Sequence, residues 1–436
     1  MHDNINFYFD DLCMSTSQPK HFLSVAIYTL AALFLCYEMS LQAAIGVMTH
    51  SLMKAFEITA KGVGWIHASY FIAYTLMQIP AGVLFDRVCA RNLICCAILC
   101  CALGNLLFAV SHHVILAVVG RFFEGFGSAF AFIGTLVIAA EWFKPRWFAF
   151  LVGIAQALAA IGAMSAGAPL AWAIEQFGWR PMLIYLSMIG LVLTFFVGYA
   201  MKNPKTWPES QLKKIKKTLV WDHILQVVRS PQVLWIALYA FCAWAPVTIF
   251  AELWGESFLI ERFPVTLTYA GMMVAMIWLG LTFISPALGW LSERMLNRRY
   301  LIIITAIIGT LSTSIMLYAP HTLLLSWVVL FGFGCAASGQ ILSFVMVKDI
   351  QPKYLVGTAI GFMNMAVVAG GALLGPLSSY LLHFSWSGTQ RQGVPHYLLK
   401  DYHHTLWLIP LCYAVALLIS CLYIHETHPQ AQEGTP

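Results

Sequence analysis

The sequence has very few charged residues for its length, and this scarcity excludes most classes of soluble protein. Only 10% of its 436 residues are Asp, Glu, Lys or Arg, whereas 60% are hydrophobic. Soluble domains carry about 25% charged residues and about 45–50% apolar ones. A chain surrounded by water could not bury so much apolar surface. A disordered chain, a nucleic-acid-binding protein and an ordinary cytosolic enzyme are therefore poor fits, and the composition indicates lipid as the main solvent.

The motifs of enzymes, metal sites and nucleotide sites are also missing. The eleven cysteines include no C-x-x-C pair, and the histidines show no zinc-ligand spacing beside them. No G-x-S-x-G, H-E-x-x-H or G-x-x-x-x-G-K-[ST] segment occurs. We expect no enzyme activity, no cofactor and no metal, and we expect energy from an ion gradient rather than ATP. A membrane sensor usually needs a soluble output domain, and no loop is long enough for one.

Long apolar runs predict the architecture. A helix that crosses the bilayer needs about 20 predominantly apolar residues. Twelve such runs occur, at 22–48, 62–84, 92–111, 114–142, 147–173, 180–201, 232–259, 267–291, 300–319, 322–347, 356–383 and 405–424. The prediction is an all-α integral membrane protein with twelve transmembrane helices.

The distribution of basic residues predicts the orientation. With the N-terminus in the cytoplasm, the cytoplasmic tail and loops hold 17 Lys and Arg residues, and the opposite side holds 6. This asymmetry satisfies the positive-inside rule when both termini are cytoplasmic. The predicted divisions are an N-terminal tail, a six-helix half, a basic linker that lies against anionic lipid, a second six-helix half and a C-terminal tail, at 1–21, 22–201, 202–230, 231–424 and 425–436.

An internal repeat links the two predicted halves. The segment GVLFDRVCAR at 82–91 recurs as GWLSERMLNR at 289–298, an offset of 207 residues. The same offset relates GFG at 125–127 to GFG at 332–334, and PL at 169–170 to PL at 376–377. Three anchors with one spacing indicate a parallel duplication. In transporters built this way, substrate lies near the midplane between the repeats.

The duplicated loop resembles the signature of the major facilitator superfamily, and the resemblance covers all twelve predicted helices. The resemblance consists of the segment Gly-x-x-x-Asp-Arg-x-x-x-Arg after the second helix, a similar segment after the eighth helix, and Gly120-Arg121 in the fourth helix. The segments at 76–87, 139–143 and 357–365 are more locally similar to a bacterial subgroup related to lysosomal dipeptide carriers. The resemblance implies a two-half transport fold.

The repeated loops are candidate gates. Gly82 permits a close helix approach, and Asp86 faces the positive end of a helix dipole. Arg87 and Arg91 have an acidic partner in Glu141 at a neighbouring helix end, although these charges also set the topology. The resemblance implies a cytoplasmic latch that breaks in one conformation. The gating residues are predicted to be Gly82, Asp86, Arg87, Arg91, Glu141, Gly289, Glu293, Arg294 and Arg298.

Charges within the apolar runs are candidates for coupling, because each costs at least about 2.5–3.5 kcal/mol near the bilayer centre. Glu38 has no basic residue within a turn of its own helix, so desolvation favours its neutral form. Arg121 and Glu124 lie three residues apart, and Glu124 serves either in coupling or as the partner of Arg121. The proton-coupling residues are predicted to be Glu38, Glu124 and Glu252. Glu256 lies nearer the outer end of its helix, where simple hydration is the expectation.

Polar and aromatic residues on single helix faces predict a solute cavity. The second helix carries His67, Tyr70, Tyr74 and Gln78 at spacings of three and four residues, on one face. Each such group also serves in helix–helix hydrogen bonds, so the prediction rests on their combination. The substrate-binding residues are predicted to be Glu38, Gln42, Tyr70, Tyr74, Arg121, Gln156, Trp244, Glu252 and Asn364.

The combined prediction is a secondary transporter that moves a small anionic or zwitterionic solute by alternating access, coupled to protons. Its expected partners are the solute, protons and the lipid bilayer, with no nucleic acid, and it is expected to be a monomer. The alternatives are an exporter of a siderophore or drug-like compound and a non-transporting sensor. Short loops, and the lack of an Asn-x-Ser/Thr acceptor, favour a bacterial inner membrane.

Overall fold

The computed structural model describes residues 21–85, 88–143, 147–201, 225–295, 297–320, 322–352, 355–391 and 393–427, and these are almost entirely helical. Residues 21–201 (the N-half) contain α1 His21–Ala43, α2 Ile45–Phe56, α3 Ala60–Phe85, α4 Ala90–Val110, α5 Val114–Trp142, α6 Phe148–Ser165, α7 Ala168–Phe177 and α8 Trp179–Ala200.

Residues 225–427 (the C-half) repeat this pattern of long helices. They contain α9 Pro231–Ile249, a π-helical turn Phe250–Trp254, α10 Gly255–Arg262, α11 Leu267–Met295, α12 Arg298–Tyr318, α13 Leu323–Ala337, α14 Gln340–Ile350, α15 Val356–Ser385, α16 Leu399–Leu406 and α17 Leu408–Leu422. A short antiparallel hairpin, β1 Gln390–Arg391 with β2 Val394–Pro395, joins α15 to α16.

The predicted all-helical membrane architecture is confirmed. Within the described residues, eleven helical segments are long and apolar enough to cross a membrane. The helix α3, Ala60–Phe85, is not one of these eleven, although it has 26 residues and is therefore about 39 Å long. It packs between α5 and α15.

Several crossing segments are interrupted, which the apolar runs did not predict. The first breaks at Ala44 and continues to Phe56, beyond the predicted end at 48, and the last begins at Leu399 rather than 405. Proline explains two interruptions, because it lacks the N–H that a continuous helix requires. Pro169 lies in the first turn of α7, and Pro246 lies inside α9, one turn before the π-helical turn.

The two halves meet along three lines of contact. Helix α3 packs against α15, and α6 with α7 packs against α11. At one end of the molecule, α2 packs against the π-helical turn and α10. These three contacts enclose the buried polar residues described below.

Two glycines place the helices that carry the site. A Cβ on Gly125 of α5 would lie 2.0 Å from the backbone oxygen of Tyr70 in α3, and one on Gly334 of α13 would lie 1.9 Å from that of Ile277 in α11. Tyr70 and Ile277 are separated by the repeat offset of 207 residues. The two glycines are 209 residues apart, so the close contact between backbones recurs in the second half but is shifted by two residues on the helix that carries the glycine.

We expect Gly125→Ala to lower the apparent melting temperature of the purified protein. The methyl group would meet backbone atoms that cannot rotate away, and overpacking costs about 1–3 kcal/mol, more than the gain of about 1 kcal/mol in helix propensity. Gly198→Ala is the matched control, since its Cβ would lie 3.7 Å from its nearest neighbour, Cys95 Sγ. Equal melting temperatures for the two variants would contradict the close approach of α5 to α3.

Candidate functional site

A hydrogen-bonded network links α1 to α3 in the middle of the N-half. Tyr70 Oη lies 2.6 Å from Glu38 Oε1 and 3.2 Å from Gln42 Oε1. One hydroxyl has one proton to donate, so the shorter contact to Glu38 is the stronger candidate for the hydrogen bond. The helical spacing that put Glu38 and Gln42 on one face therefore presents both to Tyr70.

The network crosses from the N-half to the C-half through Gln42. Its Nε2 donates to Glu252 Oε1 at 2.7 Å. Glu252 lies in the π-helical turn, a feature that frequently marks functional positions. A Cβ on Gly255 would lie 2.5 Å from the carbonyl oxygen of Phe250, so glycine is required where this turn ends. The irregular turn thus places a carboxylate of one half against the amide of the other.

Arg121 lies behind Tyr70 and is held from three directions. Its Nη1 donates to Glu124 Oε2 at 2.5 Å and to the carbonyl oxygen of Leu41 at 3.1 Å. Its guanidinium carbon lies 4.6 Å from the centroid of the Tyr70 ring, within cation–π range. The side chain is 1% exposed. A planar, permanently charged group is therefore fixed beside the network.

The cluster contains more acidic groups than basic ones. Glu38, Glu124 and Glu252 are fully buried with a single guanidinium, that of Arg121. One oxygen of each carboxylate, Oε2 of Glu38, Oε1 of Glu124 and Oε2 of Glu252, has no hydrogen-bond partner among the described residues. Three ionised carboxylates beside one cation would leave uncompensated charge in a poorly solvated interior, which is costly. The arrangement is suited to taking up protons or a cationic group.

A small cavity of about 50 Å³ lies beside this network, between the halves. Five of the predicted substrate-binding residues line it, namely Gln42, Tyr74, Gln156, Trp244 and Asn364. The other four, Glu38, Tyr70, Arg121 and Glu252, belong to the adjoining network. The sequence did not single out Phe132, Gln340 and Phe344, which also line the cavity. Phe132 and Phe344 come from opposite halves, with ring centroids 6.0 Å apart.

A second hydrogen bond joins the halves next to the cavity. Asn364 Nδ2 in α15 donates to Gln78 Oε1 in α3 at 2.7 Å. Gln78 was recognised as part of the polar face of its helix, but its partner lies 286 residues away in the chain. Such a pairing is visible only in the folded molecule.

One end of the molecule is closed by contacts between the halves. We call it the sealed end, and it consists of α2, the first turn of α3, α10 and Tyr397. Thr49 Oγ1 lies 2.8 Å from Ser257 Oγ, and the Ala60 N–H donates to Tyr397 Oη at 3.0 Å. Glu256, expected to be hydrated at a helix end, is instead 2% exposed here, because α2 of the other half covers it.

The described parts of the repeated motif loops lie at the opposite end. A Cβ on Gly82 or on Gly289 would meet no atom within 4 Å. Among the described residues no helix lies against Gly82 in this conformation, and the close approach expected of it stays a prediction. Asp86 and Arg87 lie outside the described residues, as does the side chain of Glu141.

The described gating residues pair within their own halves. Arg298 donates to Glu293 at 2.9 Å and forms an ion pair with Asp349, at the end of α14, at 2.7 Å. Arg91, the counterpart of Arg298, donates to the carbonyl oxygen of Gly198. Arg294 lies over the ring of Trp290, 4.6 Å from its centroid. The pairing proposed for Arg91 and a helix-end acid thus has a counterpart in the C-half.

Metal chemistry has no candidate centre in the described part of the chain, where no three His, Cys, Asp or Glu residues are grouped closely enough to hold an ion.

Comparison with known proteins gives the family. The model of the Major Facilitator Superfamily matches residues 30–376 and 253–436. The chain belongs to the Major Facilitator Superfamily.

Relatives and solved structures agree with this assignment. The chain is 26% identical to an uncharacterized transporter of Bacillus subtilis over 59% of its length, and the match spans 62% of that protein. It is 21% identical to a probable galactarate/D-glucarate transporter of Escherichia coli, over 74% of this chain and 79% of the relative. The crystal structure of a D-xylose–proton symporter superposes with a TM-score of 0.71 at 17% identity, covering 93% of this chain and 98% of that one.

Membership of the Major Facilitator Superfamily, together with the apolar helices, identifies the chain as a multi-pass membrane protein. The family and the relatives are transporters of small solutes and not enzymes. Their shared fold encloses the charged network and the cavity between the two halves.

Proposed function

We propose that this protein is a proton-coupled secondary transporter of a small solute that carries a carboxylate, either an organic acid or a zwitterion. The hydrogen bond from Gln42 to Glu252 at 2.7 Å is the observation that carries this proposal. It connects the N-half, which contains Glu38 and Glu124, to Glu252 in the C-half, across the boundary along which the halves move in alternating access. A change of proton number in the cluster therefore changes the contact between the halves.

Arg121 supports the choice of an anionic group. Its fixed, planar charge recognises carboxylates, and no other Arg or Lys side chain is buried beside the network in the described chain. The relative from Escherichia coli is named for two sugar diacids, which agrees with an acidic solute. The carboxylates of the cluster also offer a place for an ammonium group, so a zwitterion fits equally.

The topology of the proposed carrier follows from the positive-inside rule. We propose that α3 is the twelfth membrane-crossing helix, that both termini face the cytoplasm, and that the halves comprise 22–201 and 231–424, joined by the basic linker 202–230. The sealed end then faces outward, and the end with Gly82 and Gly289 faces the cytoplasm. A bacterial inner membrane and a monomeric carrier complete the proposal.

Transport into proteoliposomes tests the proposal. The panel is a sugar diacid, a monocarboxylic acid, an amino acid, a dipeptide and a neutral sugar, preselected by thermal shift, since a ligand at about 100 times its Kd stabilises the folded state by about 2.7 kcal/mol. We expect accumulation of one carboxylate-bearing solute when the outside is acidified, and none of the sugar. Accumulation driven by an alkaline exterior would instead identify an exporter, and transport of the neutral sugar alone would contradict the proposal.

A further inference from the structure

Glu256 is a buried acid that the proposed coupling network does not use. It lies at the sealed end, in α10, four residues beyond Glu252 of the π-helical turn. Its Oε2 has no hydrogen-bond partner among the described residues. A carboxylate in this position needs a physical explanation.

The carboxylate of Glu256 lies directly in the contact between the halves. A Cβ added to Gly46 of α2 would be 2.5 Å from Glu256 Oε2, so the acid lies against the backbone of the opposite half at this glycine. The adjacent Ser257 contacts Thr49 of the same helix at 2.8 Å. The close packing of α2 on α10 therefore covers Glu256 with the backbone of the opposite half.

Among the described residues, no charged group compensates Glu256 in this contact. Helix α10 packs against α2, the π-helical turn, α11 and α16. In the part of the chain that is described, no titratable residue of these elements forms a hydrogen bond or ion pair with Glu256. Asp401 accepts from the N–H of Leu398, Glu261 lies 3.4 Å from His396, and Glu252 accepts from Gln42. The titratable residues concerned are His50 and Lys54 of α2, Glu252 of the π-helical turn, Glu261 and Arg262 of α10, and Lys400, Asp401, Tyr402, His403 and His404 of α16; α11 carries only Tyr269 before Glu293.

An ionised carboxylate buried without a partner is strongly unfavourable, whereas the protonated acid is tolerated. When α2 and α10 separate, water reaches the carboxylate and the ionised form becomes stable. We propose that Glu256 is a second protonation site of the carrier and that the sealed end closes only when this acid is neutral. The inference rests on the proposed function, since it assumes alternating access.

The sign of the pH dependence follows from proton linkage. The sealed conformation binds one more proton than the open one, so acid favours closure and alkali favours opening. For one linked proton, the ratio of the open to the sealed population changes by at most about tenfold per pH unit. A carrier that has taken up no proton from the outer side therefore does not close on that side.

The test measures the separation of the halves directly. Spin labels are attached to Lys54→Cys and Lys400→Cys, both exposed at the sealed end, in full-length protein whose native cysteines have been replaced. Electron paramagnetic resonance distances are recorded in lipid nanodiscs from acidic to alkaline pH. We expect the short distance to dominate in acid and the long distance to gain up to about tenfold per pH unit.

The variants separate this role from a structural one. Glu256→Gln imitates the neutral acid and is expected to remain sealed at every pH. Glu261→Gln, on the same helix but partly exposed, is the matched control and should behave as wild type. A wild-type pH response in Glu256→Gln, or no pH response in wild type, would overturn the inference.

Failure of the proposed function gives a different result. A protein that never accumulates an acidic solute in a proton gradient contradicts proton-coupled transport, whatever the labels report. In turn, Glu38→Gln should lose gradient-driven accumulation and still show the pH-dependent distance change at the sealed end. The two proposals therefore fail in separate measurements.

Discussion

Replacing Arg121 with alanine is expected to abolish solute binding and to destabilise the protein by about 3–5 kcal/mol. The substitution leaves Glu124, 2.5 Å from the lost guanidinium, as a buried charge without its partner, and breaking a buried ion pair costs about that much. The cation–π contact with Tyr70 is lost as well. Thermal unfolding reports the first effect, and uptake into proteoliposomes reports the second.

A double variant separates stability from recognition. In Arg121→Ala combined with Glu124→Gln, no unpaired charge remains, so most of the stability should return while binding of the acidic solute stays lost. Arg121→Lys keeps a charge but not the planar fork, and we expect an intermediate loss of affinity. If the double variant binds the acidic solute with wild-type affinity, Arg121 serves only to neutralise Glu124.

Replacing Glu38 with glutamine is expected to eliminate accumulation driven by a pH gradient while preserving exchange. The amide oxygen of glutamine still accepts from Tyr70, whose hydroxyl lies 2.6 Å from Glu38 Oε1, so the network keeps its geometry. A permanently neutral side chain lets the loaded carrier reorient but carries no proton. One proton per solute supports an accumulation of about tenfold across one pH unit, since tenfold corresponds to about 1.4 kcal/mol.

Counterflow and gradient-driven uptake, measured side by side, test this expectation. Glu57→Gln is the matched control, because Glu57 is exposed at the end of α2, and it should accumulate solute as wild type does. If Glu38→Gln still concentrates solute in response to protons, Glu252 becomes the next candidate, through its hydrogen bond to Gln42.

The fold was predictable because its main signals are local. Apolar runs mark the crossing helices, and the recurrence of one loop after 207 residues marks the duplication. The interruptions within the crossing helices were harder to predict from the sequence. Pro246 is visible in the sequence, but the π-helical turn that follows it also depends on Gly255 and on packing against α2. Helix periodicity alone does not predict such a turn.

The site was predictable only as a set of residues, not as an arrangement. Buried charges stand out in apolar helices, which is why Glu38, Arg121 and Glu252 were found. Their order in space depends on contacts between distant segments, such as Gln42 with Glu252, 210 residues apart. Glu256 is buried against Gly46 of the other half, and no property of its own helix reveals this. In the sequence, Phe132 and Phe344 cannot be told from lipid-facing aromatic residues. Only the folded molecule shows that they lie between the halves.

The small volume of the cavity has a consequence for binding measurements. Its 50 Å³ has room for only a few water molecules, each of which needs about 10–15 Å³, and a sugar diacid does not fit. Under the proposed function, solute that binds at this site therefore requires a wider conformation than this one. An equilibrium titration then reports the intrinsic dissociation constant divided by the population of that conformation. Variants that shift this population should change the measured affinity without touching the solute, and Kd values compared at different pH will mix the two effects.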